Sequence, residues 1–223
     1  MKTYIIKKYE DLTEFEDDFG YKIDGNAEFE GLIEFNGRLL VEGYLLIKDS
    51  GSIKSHGYIE AGEFIEAYGS IEADGSIKSH GPIEAYRFIK VNGHIEADWS
   101  IKAYGSIEAY GSIEANGPIE AGGSIKAGGY IKSSEYIKSG WYIESGDFIK
   151  AGESHGISAG SYITCKGTLS FGLKAFAGIC VWREIADREK TITCSRMIGR
   201  GKVEYGILVE TDKNFKSEIE EVK

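Results

Sequence analysis

Two prolines and three cysteines are all that a chain of 223 residues holds of either type. Cys165, Cys180 and Cys194 are odd in number and lack CxxC spacing, so neither a disulfide framework nor a zinc site is expected. Free buried thiols are the reading of all three. Nowhere does an apolar run approach the ~20 residues of a membrane span, and the stretch Met1 to Lys8 has no core of signal length. A reduced, cytoplasmic protein without a membrane partner is therefore expected. Threonine is almost absent from the central chain, which excludes the ranked threonines of an ice-binding face.

What is there is a period. From Ile23 to about Lys174 an aliphatic or aromatic residue returns at every sixth position, as in Ile53, Ile59, Ile65 and onward to Ile149. Self-similarity at so short a period marks a stacked architecture, since one unit cannot bury its own apolar side chain. Counting the Ile as position 0, Glu or Lys follows at +1, Ala or Ser at +2, a variable residue at +3 and usually Gly at +4, with Ser, Pro or an aromatic at +5. Apolar, charged, small is the alternation of a strand with one buried face, and helical spacing does not fit. Gly57, Gly69, Gly75, Gly81, Gly93, Gly105, Gly111 and Gly117 recur at +4, where a corner calls for a residue free to take positive φ.

Three such sides close a triangular coil of about 18 residues. The charges test this separately from the Ile pattern. Residues 18 apart at +1 become rung neighbours roughly 4.8 Å apart, where opposite charges help. One column, Lys54, Glu72, Lys90, Glu108, Lys126, Glu144, alternates without a break. A second, Glu30, Lys48, Glu66, Glu84, Lys102, Glu120, Lys138, has one like pair, and the third, from Asp24 through Glu42 and Glu60 to Lys150, is poorer. The +3 position repeats the message: His56, Asp74, Asn92 in one column, His80, Asp98, Asn116 in another, Tyr68, Tyr86, Tyr104 in the third. The predicted fold is all-β, a single-stranded triangular β-helix of about eight coils rising on the order of 40 Å.

Three segments follow. Residues 1–22 lack the hexad, and Asp11, Leu12, Glu14, Phe15 and Gly20 predict a short capped helix over the first coil. Residues 23–174 form the helix body. Its first coils carry Gly at +2 and Ile33, Leu39 and Leu45 at +4; the hexads are expected to run without insertion from Ile23 to Ser154, and the register slips by two at His155. Residues 175–223 read as ordinary strands forming a small C-terminal β cap with a polar tail from Thr211, a place where copies of the chain could associate. The net charge of −10 is uneven: the first 52 residues hold six Lys or Arg against twelve Asp or Glu. Direct nucleic-acid binding by the body is disfavoured, whereas the acidic end suits a basic protein groove.

Without an inserted loop there is little to build a pocket, and no catalytic, cofactor or metal residue is assigned. His56 and His80 sit above Asp74 and Asp98, where a corner hydrogen bond is the plain expectation; an enzyme would need one of these histidines. The aromatics stand out. Tyr130, Tyr136, Tyr142 and Phe148 occupy successive +5 positions beside Trp141, a belt around the last third, and Tyr68, Tyr86, Tyr104 and Tyr110, with Trp99 and Phe88 nearby, form a second group. Exposed aromatic surface rimmed by charge marks a protein-binding site. With the acidic Glu14, Glu16, Asp17 and Asp18, these are the candidate contacts. Arg183, Arg188, Lys190, Arg196, Arg200 and Lys202 form a mild basic patch read as a solvated strand face.

The runs of Ile-Glu-Ala and Gly-Ser-Ile resemble the bactofilin family of polymer-forming bacterial β-helices, from Ile23 to about Lys174. The resemblance implies a right-handed, triangular, non-catalytic helix. The small acidic chain also looks like uncharacterised phage-encoded proteins, which would place it in host cytoplasm, and by analogy resembles pentapeptide-repeat helices that imitate DNA. The expectation drawn from these features is a non-enzymatic protein-binding β-helix, an inhibitor of the anti-CRISPR type acting on a bacterial nucleic-acid-targeting defence enzyme. The alternative is a self-assembling bactofilin-like scaffold.

Overall fold

In the computed structural model, which describes residues 1–181 and 183–212, three parallel sheets form the sides of a triangular β-solenoid. The first sheet takes Thr3–Ile6, Asn26–Glu30 and Leu45–Lys48, then Ile65–Ala67 and its successors, ending with Lys174–Ala177 and Lys202–Tyr205. The second opens with an antiparallel pair, Glu16–Asp17 against Gly20–Ile23, and runs through Ile59–Ala61 to Arg196–Ile198. The third runs from Ile33–Phe35 through Ile53–Ser55 to Ile207–Glu210. Two sheets have eleven strands and one has ten, so the stack is longer than the eight coils read from the hexads. The additional coils come from both ends. Thr3–Ile6 pairs in parallel with Asn26–Glu30, and the strands expected as a C-terminal cap, Thr191–Cys194, Arg196–Ile198, Lys202–Tyr205 and Ile207–Glu210, continue the three sheets. Their hexad signal is lost while their pairing is kept. Beyond Asp212 the polar tail lies outside the described residues.

From Ile53 to Ser145 each strand of the repeat is three residues long, with Ile and the +2 residue buried and the charged residue between them outside. The Ile column is fully buried from Ile59 to Ile149, and a narrow core of Ile over Ala is filled coil by coil. Where Ser replaces Ala at +2 its hydroxyl is also buried, and it donates to a corner carbonyl: Ser133 to Gly117 at 2.8 Å, Ser139 to Gly123 at 2.8 Å, Ser145 to Gly129 at 2.8 Å. A buried hydroxyl with such a partner costs little. Serine at +5 works outward: Ser106 Oγ accepts the Ser124 amide at 3.1 Å, and Ser112 Oγ the Tyr130 amide at 3.2 Å.

Corner glycines turn out to have another cause than the one expected. None of the eight +4 glycines has positive φ. Here the backbone of the adjacent coil lies close: a Cβ on Gly105 would lie 2.4 Å from the Arg87 carbonyl oxygen, and one on Gly69 2.3 Å from that of Gly51, so a side chain at either would force the corner to shift.

The hexads also contain an insertion that the reading above overlooked. Asp49 and Ser50 take φ of 53° and 59°, and this left-handed pair lengthens one coil by two residues. Ile53 therefore lies over Ile33, Ile59 over Leu39 and Ile65 over Leu45. Glu66 faces Leu46 and not Lys48, and Glu60 faces Leu40 and not Glu42. The second slip is where it was expected, with Ile157 over Ile137 and Ile163 over Ile143. Between the two, the 18-residue register holds on every side, as in Lys54, Glu72, Lys90 and Glu108.

At the N-terminal end the helix Tyr9–Leu12 buries Leu12, as a cap over the first coil should. Tyr4 and Phe15 close the same end edge-to-face at 4.9 Å.

Candidate binding surface

The three corners differ in chemistry because each is a column of +3 to +5 residues repeated at 18. Between the second and third sheets, His56 Nδ1 meets Asp74 Oδ2 at 2.7 Å and Asn92 Nδ2 donates to Asp74 Oδ1 at 3.2 Å. His56 Nε2 is also 2.9 Å from Glu34 Oε1 of the coil beneath, an oxygen shared with Lys54 Nζ at 2.6 Å. A neutral imidazole has one N–H, so both contacts are satisfied only by the imidazolium. Hydrogen bonding to Asp74, then to Glu34, accordingly raises the His56 pKa. Between the second and first sheets, His80 Nδ1 lies 2.8 Å from Asp98 Oδ2. Both are corner contacts of the kind the spacing implied, and the described residues hold no group of three or more His, Cys, Asp or Glu suited to a metal.

The corner between the first and third sheets is aromatic. Tyr68 and Tyr86 stack at 4.9 Å with 5° between planes, and Tyr86 and Tyr104 at 5.0 Å with 19°. All three are exposed, by 45%, 41% and 55%. The next residue of the column is Gly122, so the ladder ends at Tyr104. Trp141, 60% exposed, lies on the same corner two coils further along, because 141 follows Arg87 by three full coils. The longest gap between strands, from Gly178 to Lys190, also falls on this corner. There Arg183, ion-paired to Glu189 at 2.6 Å, joins Trp141, Tyr142, Tyr162 and Cys180 around a cavity of about 240 Å³.

The other candidates are placed differently. Tyr130, Tyr136 and Tyr142 follow one another in the chain and so stand on three different corners, half-buried; only Tyr130 and Phe148 share one, stacked at 4.7 Å. The hydroxyls of Tyr130 and Tyr136 are occupied. Tyr130 donates to Glu114 Oε2 at 2.7 Å and Tyr136 to Glu120, and both phenols are pushed up to about 12, first by that hydrogen bond and then by burial. The belt therefore encircles the stack and fastens one coil to the next. Trp99 is 68% exposed on the His80 corner. Glu14, Glu16 and Asp18 are exposed, whereas Asp17 is bound to Arg38 at 2.5 Å, and a backbone hydrogen bond from Phe19, then Arg38, lowers its pKa.

Charge ladders match in register more often than they touch. Lys102 meets Glu84 at 3.0 Å, Lys132 meets Glu114 at 2.6 Å and Lys78 meets Glu96 at 3.2 Å. In the strictly alternating column, the described ion pair is Lys54 with Glu34, which the two-residue insertion brings into register beneath it. Arg87 was not singled out from the sequence, and Lys90 was read only as a rung of the alternating column. Among the described residues neither side chain has an ion-pair or hydrogen-bond partner, and both line an open groove of about 570 Å³ beside the tyrosine ladder, with Tyr86, Phe88, Tyr104 and Glu108. The signal was available: Arg87 occupies a +4 place that neighbouring coils fill with Gly69 and Gly105.

Comparison of the chain with protein-family profiles, with curated proteins and with solved structures returns no match. What the structure shows is a hexad-repeat β-solenoid with three parallel sheets.

Proposed function

We propose that this protein is a non-catalytic, rigid solenoid that binds a protein partner through its tyrosine corner. The observation that carries this reading is the concentration of Tyr68, Tyr86, Tyr104 and Trp141 on one of three corners, all exposed. Exposed aromatic rings whose conformation is already held by stacking lose little entropy on binding, and such residues supply most hot-spot energy. The finer reading is inhibition of a nucleic-acid-targeting defence enzyme such as a CRISPR effector. It is supported by the charge of −10 and by the exposed Glu14, Glu16 and Asp18. Co-purification with such effectors at low salt tests it: retention by the wild type and loss in Tyr86→Ala/Tyr104→Ala would support the corner as the contact, and no retention would end the reading.

A bactofilin-like scaffold is the second reading. It is favoured by the terminal strand Ile207–Glu210, whose Ile207, Leu208 and Val209 are 46%, 37% and 39% exposed at the end of a ten-strand sheet. Open strand edges invite end-to-end pairing. Size-exclusion over a hundredfold range of concentration separates the readings, since a scaffold shifts to larger species and an inhibitor does not.

A further inference from the structure

We infer that the groove beside the tyrosine ladder is a binding site for a small, flat aromatic anion. Gly105 in its lining puts no side chain into the groove, and a Cβ there would fall 2.4 Å from the Arg87 carbonyl oxygen. One wall is the pair Tyr86 and Tyr104, and Phe88, Arg87 and Lys90 rise on the other sides. The volume of about 570 Å³ lies in the range of small-molecule sites, which are mostly apolar with a few converging polar groups.

Two features select the ligand. Tyr86, Tyr104 and Phe88 give the groove three aromatic side chains, the first two stacked at 5.0 Å, and a planar apolar group packs well against them. Lys102 Nζ, 4.8 Å from the Tyr104 ring centre, is held by Glu84 and so is not available to a ligand. The Arg87 side chain has no ion-pair or hydrogen-bond partner among the described residues, and Lys90, in register between Glu72 and Glu108, is ion-paired with neither, so in a chain of net charge −10 two cations line one groove. An aromatic sulfonate, phosphate or carboxylate meets both demands, with its ring on tyrosine and its charge on guanidinium. A neutral ring would forgo the second, and a cationic one would be repelled.

The test uses the full chain and no protein partner, so its outcome is separate from that of the reading above. Titration with 1-pyrenesulfonate, followed by fluorescence, is expected to saturate at one site per chain and to weaken at least tenfold in Arg87→Gln and in Tyr104→Ala. Trp99→Ala, on another corner, should bind as the wild type does. Circular dichroism of each variant establishes that the solenoid is intact, and Arg87→Gln serves alone if Tyr104→Ala is not. Absence of saturable binding, equal binding of neutral 1-pyrenemethanol, or an equal loss in Trp99→Ala would overturn the inference.

Discussion

Each inward isoleucine sits in a column with no slack, so truncation leaves a void that only the coils above and below could fill. Ile107 is fully buried, and Ile107→Ala is expected to cost about 3 kcal/mol, against about 1 kcal/mol for Ile107→Val. Urea midpoints measure both; a cost near zero for the alanine would mean that the stack collapses freely around the gap. Cysteine chemistry follows from burial in the same column. Desolvation, with the neighbouring Cys194, pushes the Cys165 thiol up to about 12, and desolvation, with Glu210, pushes Cys194 up to about 11. Little thiolate is present at neutral pH. In the native protein a disulfide reagent should modify the half-buried Cys180 first, with Cys165 and Cys194 following only on unfolding. Rapid reaction of all three would contradict the packing.

Strand pairs communicate through their corners, and at one of them His56 bridges two carboxylates. The folded state raises the His56 pKa above its ordinary value of 6.5, so it holds the proton more tightly than the unfolded chain does. The resulting stabilisation is complete below about pH 6.5 and is lost as pH rises through the raised value. His56→Gln should therefore melt below the wild type at about pH 5 and converge on it by about pH 9. A gap that widens with pH would refute the assignment. Because His56 joins Glu34, before the Asp49–Ser50 insertion, to Asp74 after it, hydrogen exchange in Ile33–Phe35 should show the same dependence.

A stack whose coils touch only their neighbours behaves as a one-dimensional array, and its length is adjustable in whole coils. Deleting 107–124 removes one complete turn, since Ile107 lies beneath Ile125, and should leave a folded, somewhat less stable solenoid. Deleting 107–115 removes half a turn, one and a half sides, sets a corner where a strand must pair, and should abolish cooperative melting by far-UV circular dichroism. Equal melting of the two would refute the three-sided coil.

The hexad was legible because a short strand and a tight corner each demand a residue type, and the demand recurs identically on every side. Ile at 0, Ala at +2 and Gly at +4 therefore announce the all-β coil in one dimension, and the alternation of Lys54, Glu72 and Lys90 announces its width. Other features depend on what lies eighteen or more residues away. The Asp49–Ser50 insertion hid because the six-residue rhythm continues across it, shifted by two, with Ile33 and Leu39 exchanging roles with Phe35 and Val41. The last coils hid because Ile192 and Leu208 pair by backbone hydrogen bonds that accept many side chains. The gathering of Tyr104, Arg87 and Trp141 onto one corner, and the dispersal of Tyr130, Tyr136 and Tyr142 onto three, were decided by the winding of the chain. Composition names the groups, but only closure of the triangle fixes which of them share an edge.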